Sequence, residues 1–131
     1  MEIRRATTAA ELKTARHLFD GPVQDAWAER FLASPGHLML IAYVGGFPAG
    51  MLSGIEMSRP DKGPEMCLYE LGVDEAYRRR GIGHALTQAV RPAQLAIRGI
   101  RSGSRRGVRP VARPRLLTTR HGREYMRARA T

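Results

Sequence analysis

A single cysteine, Cys67, excludes an internal disulfide, so a small cross-linked scaffold is not open to this chain. Its place among the apolar residues of an expected strand suits a small buried hydrophobe. Long apolar runs are also missing. The longest, Leu38 to Val44, is far too short to span a bilayer, and the amino-terminal Met1-Glu2-Ile3-Arg4-Arg5 has no apolar stretch of the signal-peptide kind. A cytoplasmic location and no membrane partner are therefore expected. His17, His37, His84 and His121 show no metal-ligand spacing, and no Ser-His-Asp order stands out, so neither a metal nor a covalent intermediate is expected. Acidic residues are almost absent after Val90, where Glu124 alone faces 12 arginines, for a net charge of +11. Residues 1–90 hold 10 Lys+Arg against 11 Asp+Glu, a net charge of −1. The formal net charge of +10 thus belongs to the tail.

With 131 residues, 43% of them hydrophobic, the chain can bury one core. Ile3 to Ala6 reads as a first strand. Thr8-x-x-Glu11 has the form of a capping box, and a helix is expected from there to about Asp20. Pro22 suits a first helical turn, and Val23, Trp27 and Phe31 recur at four-residue spacing, which predicts a second helix ending before Pro35 with that stripe in the core. Leu38 to Val44 is continuously apolar, as expected of a strand covered on both faces, and Gly45-Gly46 supplies a tight hairpin turn. The next strand, Pro48 to Met57, carries Gly50 and Gly54, which weaken it and allow close approach. A polar loop from Arg59 to Pro64 leads into a fourth strand, Met66 to Val73. Ile82, Ala85, Leu86, Ala89 and Val90 then mark an amphipathic helix.

Two segments carry chemistry. Cys67-Leu68-Tyr69-Glu70-Leu71-Gly72-Val73 is a strand that leads into Arg78-Arg79-Arg80-Gly81-Ile82-Gly83-His84-Ala85-Leu86, a glycine-bearing loop that opens a helix. A helix start leaves backbone N–H groups unpaired and carries positive partial charge, so it favours a pyrophosphate, which Gly81 and Gly83 would let approach. Arg78, Arg79 and Arg80 add charge beside it, and the bland alternative is a solvated basic turn.

Together these residues resemble the GCN5-related N-acetyltransferases. The resemblance covers residues 1–90 and implies an α/β (α+β) fold: a mixed, mostly antiparallel sheet flanked by helices, binding acetyl-coenzyme A as cosubstrate. It places Arg78, Arg79, Arg80, Gly81, Gly83 and His84 at the phosphates. It also implies that the fourth strand parts from a fifth, so that the backbone groups of Leu71 and Val73 serve the pantetheine arm, with Gly72 marking a bulge. Acetyl transfer needs a neutral amine, whose free pKa is roughly 10, so a base must take a proton. Glu70 is the candidate. Its position resembles that of an acidic residue in aminoglycoside N-acetyltransferases acting on the 3-amino group; the alternative is a strand-edge carboxylate facing water. Six acids between Glu56 and Glu75 (Glu56, Asp61, Glu65, Glu70, Asp74, Glu75) against Arg59 and Lys62 would steer a cationic, amine-bearing acceptor.

After Val90 no period of 2 or 3.6 persists, and only Leu116 to Thr119 reads as a strand. The family's fifth strand and thiolate-protonating tyrosine are not recognisable, and the surroundings of Tyr125 do not match. Such an arginine-rich segment is what GC-rich coding DNA gives in a wrong frame, so residues 91–131 are expected to be a divergent tail beginning near Val90 or Arg91. Truncation after the phosphate-binding helix would leave the fourth strand as an edge open to a second copy of the chain. Three functions follow: an N-acetyltransferase, a polyanion binder working through the arginine-rich tail, and a non-catalytic remnant of the fold.

Overall fold

The computed structural model describes residues 1–61, 63–102, 115–118 and 124–127. Strand β1 (Glu2–Arg5) is followed by helix α1 (Ala9–Thr14), a 3₁₀ turn (Arg16–Leu18), α2 (Asp25–Ala33), β2 (His37–Val44), β3 (Phe47–Arg59) and β4 (Gly63–Val73). A second 3₁₀ turn (Glu75–Tyr77) leads to α3 (Ile82–Ser102), and a hairpin of β5 (Arg115–Thr118) and β6 (Glu124–Arg127) follows. The strands lie in the order β1-β2-β3-β4-β6-β5, and every described pair is antiparallel.

The continuous apolar run of β2 is explained by the two layers around it. Leu38, Leu40 and Ala42 join Leu52, Met66, Leu68, Ile82, Leu86 and Val90 in the core under α3. Met39, Ile41 and Tyr43 join Met51, Leu12, Ala15 and Ala28 in the core under α1 and α2. Alternate residues of one strand thus feed opposite cores. Gly45 and Gly46 close the β2–β3 hairpin at φ 56° and 79°, which glycine adopts without a steric cost.

The amino-terminal helices differ from the sequence reading. Thr8 Oγ1 accepts from the Glu11 N–H at 3.2 Å, but Glu11 Oε1 reaches back to the N–H of Thr7, one residue before the cap. α1 ends at Thr14 and hands over to the 3₁₀ turn instead of running to Asp20. α2 starts at Asp25, three residues after Pro22, and Ala28, Phe31 and Leu32 pack toward the sheet. Trp27, expected in the core, is 70% exposed. Cys67 is half-buried instead of fully enclosed, since it sits on the strand that β6 meets at the single register pair Cys67↔Arg127. β3 and β4 extend further toward their connection than expected, pairing as far as Arg59↔Gly63.

α3 also continues past its expected end near Val90, through Pro92 to Ser102. A proline inside a helix removes one N–H and crowds the preceding turn. Here Ala93 extends the apolar stripe, and Gln94 donates to Glu56 Oε2 of β3 at 3.0 Å, tying the helix to the sheet beyond the proline. The fifth strand falls at Arg115–Thr118, one residue earlier at each end than the Leu116 to Thr119 of the sequence reading, and the unexpected β6, not β5, is the strand beside β4.

Candidate active site

The register of β4 changes at one residue. Ser53 of β3 pairs with Glu70, but Gly54 pairs with Leu68, leaving Tyr69 as the extra residue of a β-bulge. The bulge expected at Gly72 is therefore at Tyr69: Gly72 pairs regularly with Met51, and a Cβ there would meet only ordinary contacts, Leu18 O at 3.5 Å being the nearest. Met66 and Leu68 face α3 before the bulge, and Leu71 and Val73 pack against the same core after it. Glu70 and Gly72 point to the other face.

Backbone direction follows from two hydrogen bonds. The Asp74 N–H donates to Ala49 O at 2.8 Å, so this amide points toward β3. The Val73 carbonyl, in the same peptide unit, points the opposite way, where Arg78 Nε donates to it at 3.3 Å. Strand alternation turns the N–H and C=O groups of Leu71 and Val73 to that outer side. Among the described residues β6 meets β4 only at Cys67, so no strand pairs with Leu71 to Val73 there.

This open side borders a cleft of about 800 Å³, lined by His17, Leu18, Asp20, Glu70, Leu71, Gly72, Val73, Asp74, Glu75, Arg78 and Gly83. One end is the start of α3. Ala85 N–H donates to Gly81 O at 3.0 Å, the first bond of the helix, so the amides of Ile82, Gly83 and His84 have no intrahelical partner. Arg79 and Gly81 take φ values of 62° and 79° in the turn before it. Such a turn exposes successive N–H groups to an anion. Gly83 lies against Leu71 and Val73, where a Cβ would stand 3.5 Å from Leu71 Cδ2.

The three arginines differ. Arg78 lines the cleft and is bonded to Val73; Arg80 lies over the Tyr77 ring at 5.2 Å; Arg79 carries the left-handed backbone. His84 is exposed on the first turn of α3, and its Nε2 is 3.0 Å from Gln88 Nε2. The acidic run divides. Glu70, Asp74 and Glu75 line the cleft, joined by Asp20, whereas Glu56 bonds Gln94 and Arg59 engages Asp61 at 2.9 Å and Glu65 at 3.8 Å along the β3–β4 hairpin.

His17 was not among the expected site residues. Its Nε2 is 2.7 Å from Pro48 O and 3.8 Å from Asp74 Oδ2, and its ring stacks on Phe47, which stacks on Tyr77. Both neighbours of Nε2 are acceptors, so that nitrogen carries the proton. A histidine read as part of one long helix gives no sign of this position; the turn at Ala15 that ends α1 brings it to the cleft.

An unpaired stretch of strand thus lies beside a helix start with free amides along one cleft. The chain belongs to the acetyltransferase (GNAT) family, whose model matches residues 6–101. That match runs past Val90, as α3 does. No curated protein matches in sequence. Among solved structures, an aminoglycoside acetyltransferase, meta-AAC0020, from an uncultured soil metagenomic sample, in complex with sisomicin, is similar at TM-score 0.64 and 19% identity, over 72% of this chain and 70% of that one. The ribosomal-protein-alanine N-acetyltransferase from Brucella melitensis biovar Abortus 2308 is similar at TM-score 0.62 and 19% identity, over 75% of each chain. The aminoglycoside N-acetyltransferase AAC(6')-Iy in complex with CoA is similar at TM-score 0.60 and 23% identity, over 72% of this chain and 71% of that one. These are likenesses of fold.

Proposed function

We propose that this chain transfers an acetyl group from acetyl-coenzyme A to an amine on a cationic acceptor, an aminoglycoside being the class favoured, with Glu70 as general base. The observation that carries the reading is the juxtaposition of Glu70, the outward backbone of Leu71 and Val73 and the helix start at Gly83 along one cleft. The pantetheine arm would bond Leu71 and Val73, and the pyrophosphate would lie on the amides of Ile82, Gly83 and His84, with Arg78, Arg79 and Arg80 beside it. Glu70 takes a proton from the acceptor ammonium; the neutral nitrogen bonds to the acetyl carbonyl carbon, the carbon–sulfur bond breaks, and the proton that the nitrogen sheds in becoming an amide passes through water to the departing thiolate.

Asp20, Glu70, Asp74 and Glu75 against Arg78 give the cleft a negative balance, which supports a cationic acceptor. The likeness to proteins described as aminoglycoside acetyltransferases supports the same class. Steady-state transfer to a panel of amines, comparing wild type with Glu70→Gln, tests this. The variant is expected to lose about 10²–10⁴-fold in kcat at neutral pH while keeping its affinity for acetyl-coenzyme A. A wild-type kcat in Glu70→Gln would remove Glu70 as base. A second activity, nonspecific polyanion binding, is supported by the charge of residues 103–131, which hold nine arginines and one acid.

A further inference from the structure

We propose that Ser53 is a positioning residue for Glu70, its hydroxyl rotating to donate to the Glu70 carboxylate and to hold it ready to accept the proton; this rests on the reading of Glu70 as the base. Ser53 is 6% exposed, and its Oγ has no hydrogen-bond partner among the described residues. A hydroxyl shut off from water without a partner keeps the full cost of its lost hydration, and native structures seldom leave one without a reason.

The partner within reach is set by the register. Ser53 and Glu70 are directly opposed across β3 and β4. A Cβ at Gly72 would approach Met51 side-chain atoms at 3.8 and 3.9 Å, so the face of β4 that carries Gly72 and Glu70 is the face of β3 that carries Met51 and Ser53. Opposed residues on one face hold their Cβ atoms about 4.5–5.5 Å apart, a gap that a serine hydroxyl and a glutamate carboxylate close by rotation. On the other side Ser53 is opposed by Met39, which offers no strong acceptor. The second buried orphan, His37 Nδ1, belongs to the next pair along, a diagonal position about 7–8 Å away.

Ser53 does not line the cleft, so it acts through Glu70 and not on the acceptor. A donor to a carboxylate favours its charged form and fixes its direction. Among the described residues, the other charged or titratable groups that line the cleft with Glu70 are His17 and Asp20 from the segment after α1 and Asp74, Glu75 and Arg78 from beyond β4, and His37 of β2 lies one pair further along the sheet. None of them sits opposite Glu70 in the sheet.

The experiment compares Ser53→Ala, Ser53→Thr, Glu70→Gln and the Ser53→Ala/Glu70→Gln pair in the full chain. Rates are measured with acetyl-coenzyme A and sisomicin from pH 5.5 to 9, and the Glu70 carboxyl is followed by carbon-13 NMR over the same range. Ser53→Ala is expected to move the acidic limb of the rate profile and the carboxyl titration to higher pH. It should lower kcat about tenfold on that limb, with the KM for acetyl-coenzyme A unchanged and the Tm equal or higher. Ser53→Thr should restore both, and the double variant should match Glu70→Gln alone. An unmoved carboxyl titration in Ser53→Ala, or losses that add in the double variant, would overturn the proposal. A wild-type rate in Glu70→Gln would instead remove the base, while the carboxyl titration would still decide whether Ser53 bonds Glu70.

Discussion

Replacing Gly50 with alanine would place a methyl carbon 2.9 Å from Ile82 Cγ2, 3.2 Å from Gly72 O and 3.2 Å from Leu86 Cδ1. The first distance is the severe one. Ile82 Cγ2 is bonded directly to its Cβ, so it cannot swing aside without leaving its rotamer, and Ile82 is the first residue of α3. The carbonyl of Gly72 is part of the sheet and yields as little. Relief therefore comes from lifting the first turn of α3 off β3, and overpacking of this kind costs about 1–3 kcal/mol. In a domain of this size that lowers the Tm by roughly 4 °C for each kcal/mol. The same movement carries the amides of Ile82, Gly83 and His84 away from the end of the cleft, so acetyl-coenzyme A should bind about tenfold more weakly or worse. Gly83→Ala is the control. A Cβ there meets Leu71 Cδ2 at 3.5 Å, an ordinary contact, so stability should stay within about 1 kcal/mol of wild type and any loss of binding must arise at the ligand. Thermal melts with and without acetyl-coenzyme A, together with calorimetric titration, measure both effects. A Gly50→Ala chain with unchanged Tm and unchanged affinity would refute the argument that this glycine seats the helix.

Gly81→Val should abolish measurable acetyl-coenzyme A binding, because valine tolerates φ 79° poorly and its branches would stand where the pyrophosphate approaches; retained affinity in a folded variant, checked by circular dichroism, would exclude this site. Burial raises the Tyr43 hydroxyl above its ordinary pKa of 10.0, with Arg4 opposing. Above that value the unfolded chain gives up a proton that the folded chain keeps, so stability falls as pH rises, and Tyr43→Phe should flatten the Tm profile on the alkaline side of about pH 10. Deleting residues 103–131 removes nine arginines and one acid while keeping α3 and its Gln94–Glu56 bond, so heparin retention should drop steeply in a fragment that still melts cooperatively; equal retention would show that the anion-binding element lies elsewhere.

The parts of the fold that sequence disclosed were those with strong local signals. A run covered on both faces at Leu38 to Val44, a double glycine for a hairpin and an apolar stripe from Ile82 to Val90 each had a single physical reading. The glycine-bearing loop was legible for the same reason, since a strand before it and a helix after it leave little freedom. What stayed hidden depends on tertiary context. The bulge at Tyr69 is invisible in composition because the extra residue is an exposed tyrosine, whereas Gly72, the better local candidate, pairs regularly. Trp27 kept its four-residue spacing, yet the docking of α2 gave the sheet-facing place to Ala28. The apolar period faded after Val90, whereas the packing of Ala93 and the Gln94–Glu56 bond carry α3 past Pro92. Ser53 gave no signal at all, since its interest lies in what stands opposite.

The slip at Tyr69 also governs what else can lie along this sheet. A strand that pairs in step with β4 at Cys67, as β6 does, is one residue out of step from Glu70 onward, because the bulge bends β4 and increases its twist there. Edge strands that stay straight template aggregation; one that breaks step in mid-length cannot propagate a ladder. Among the described residues no strand covers the outward amides and carbonyls of Leu71 and Val73, and the slip in register guards them instead. A slender ligand that bonds two residues and then leaves the strand direction can use them, whereas a polypeptide would have to carry a matching irregularity of its own.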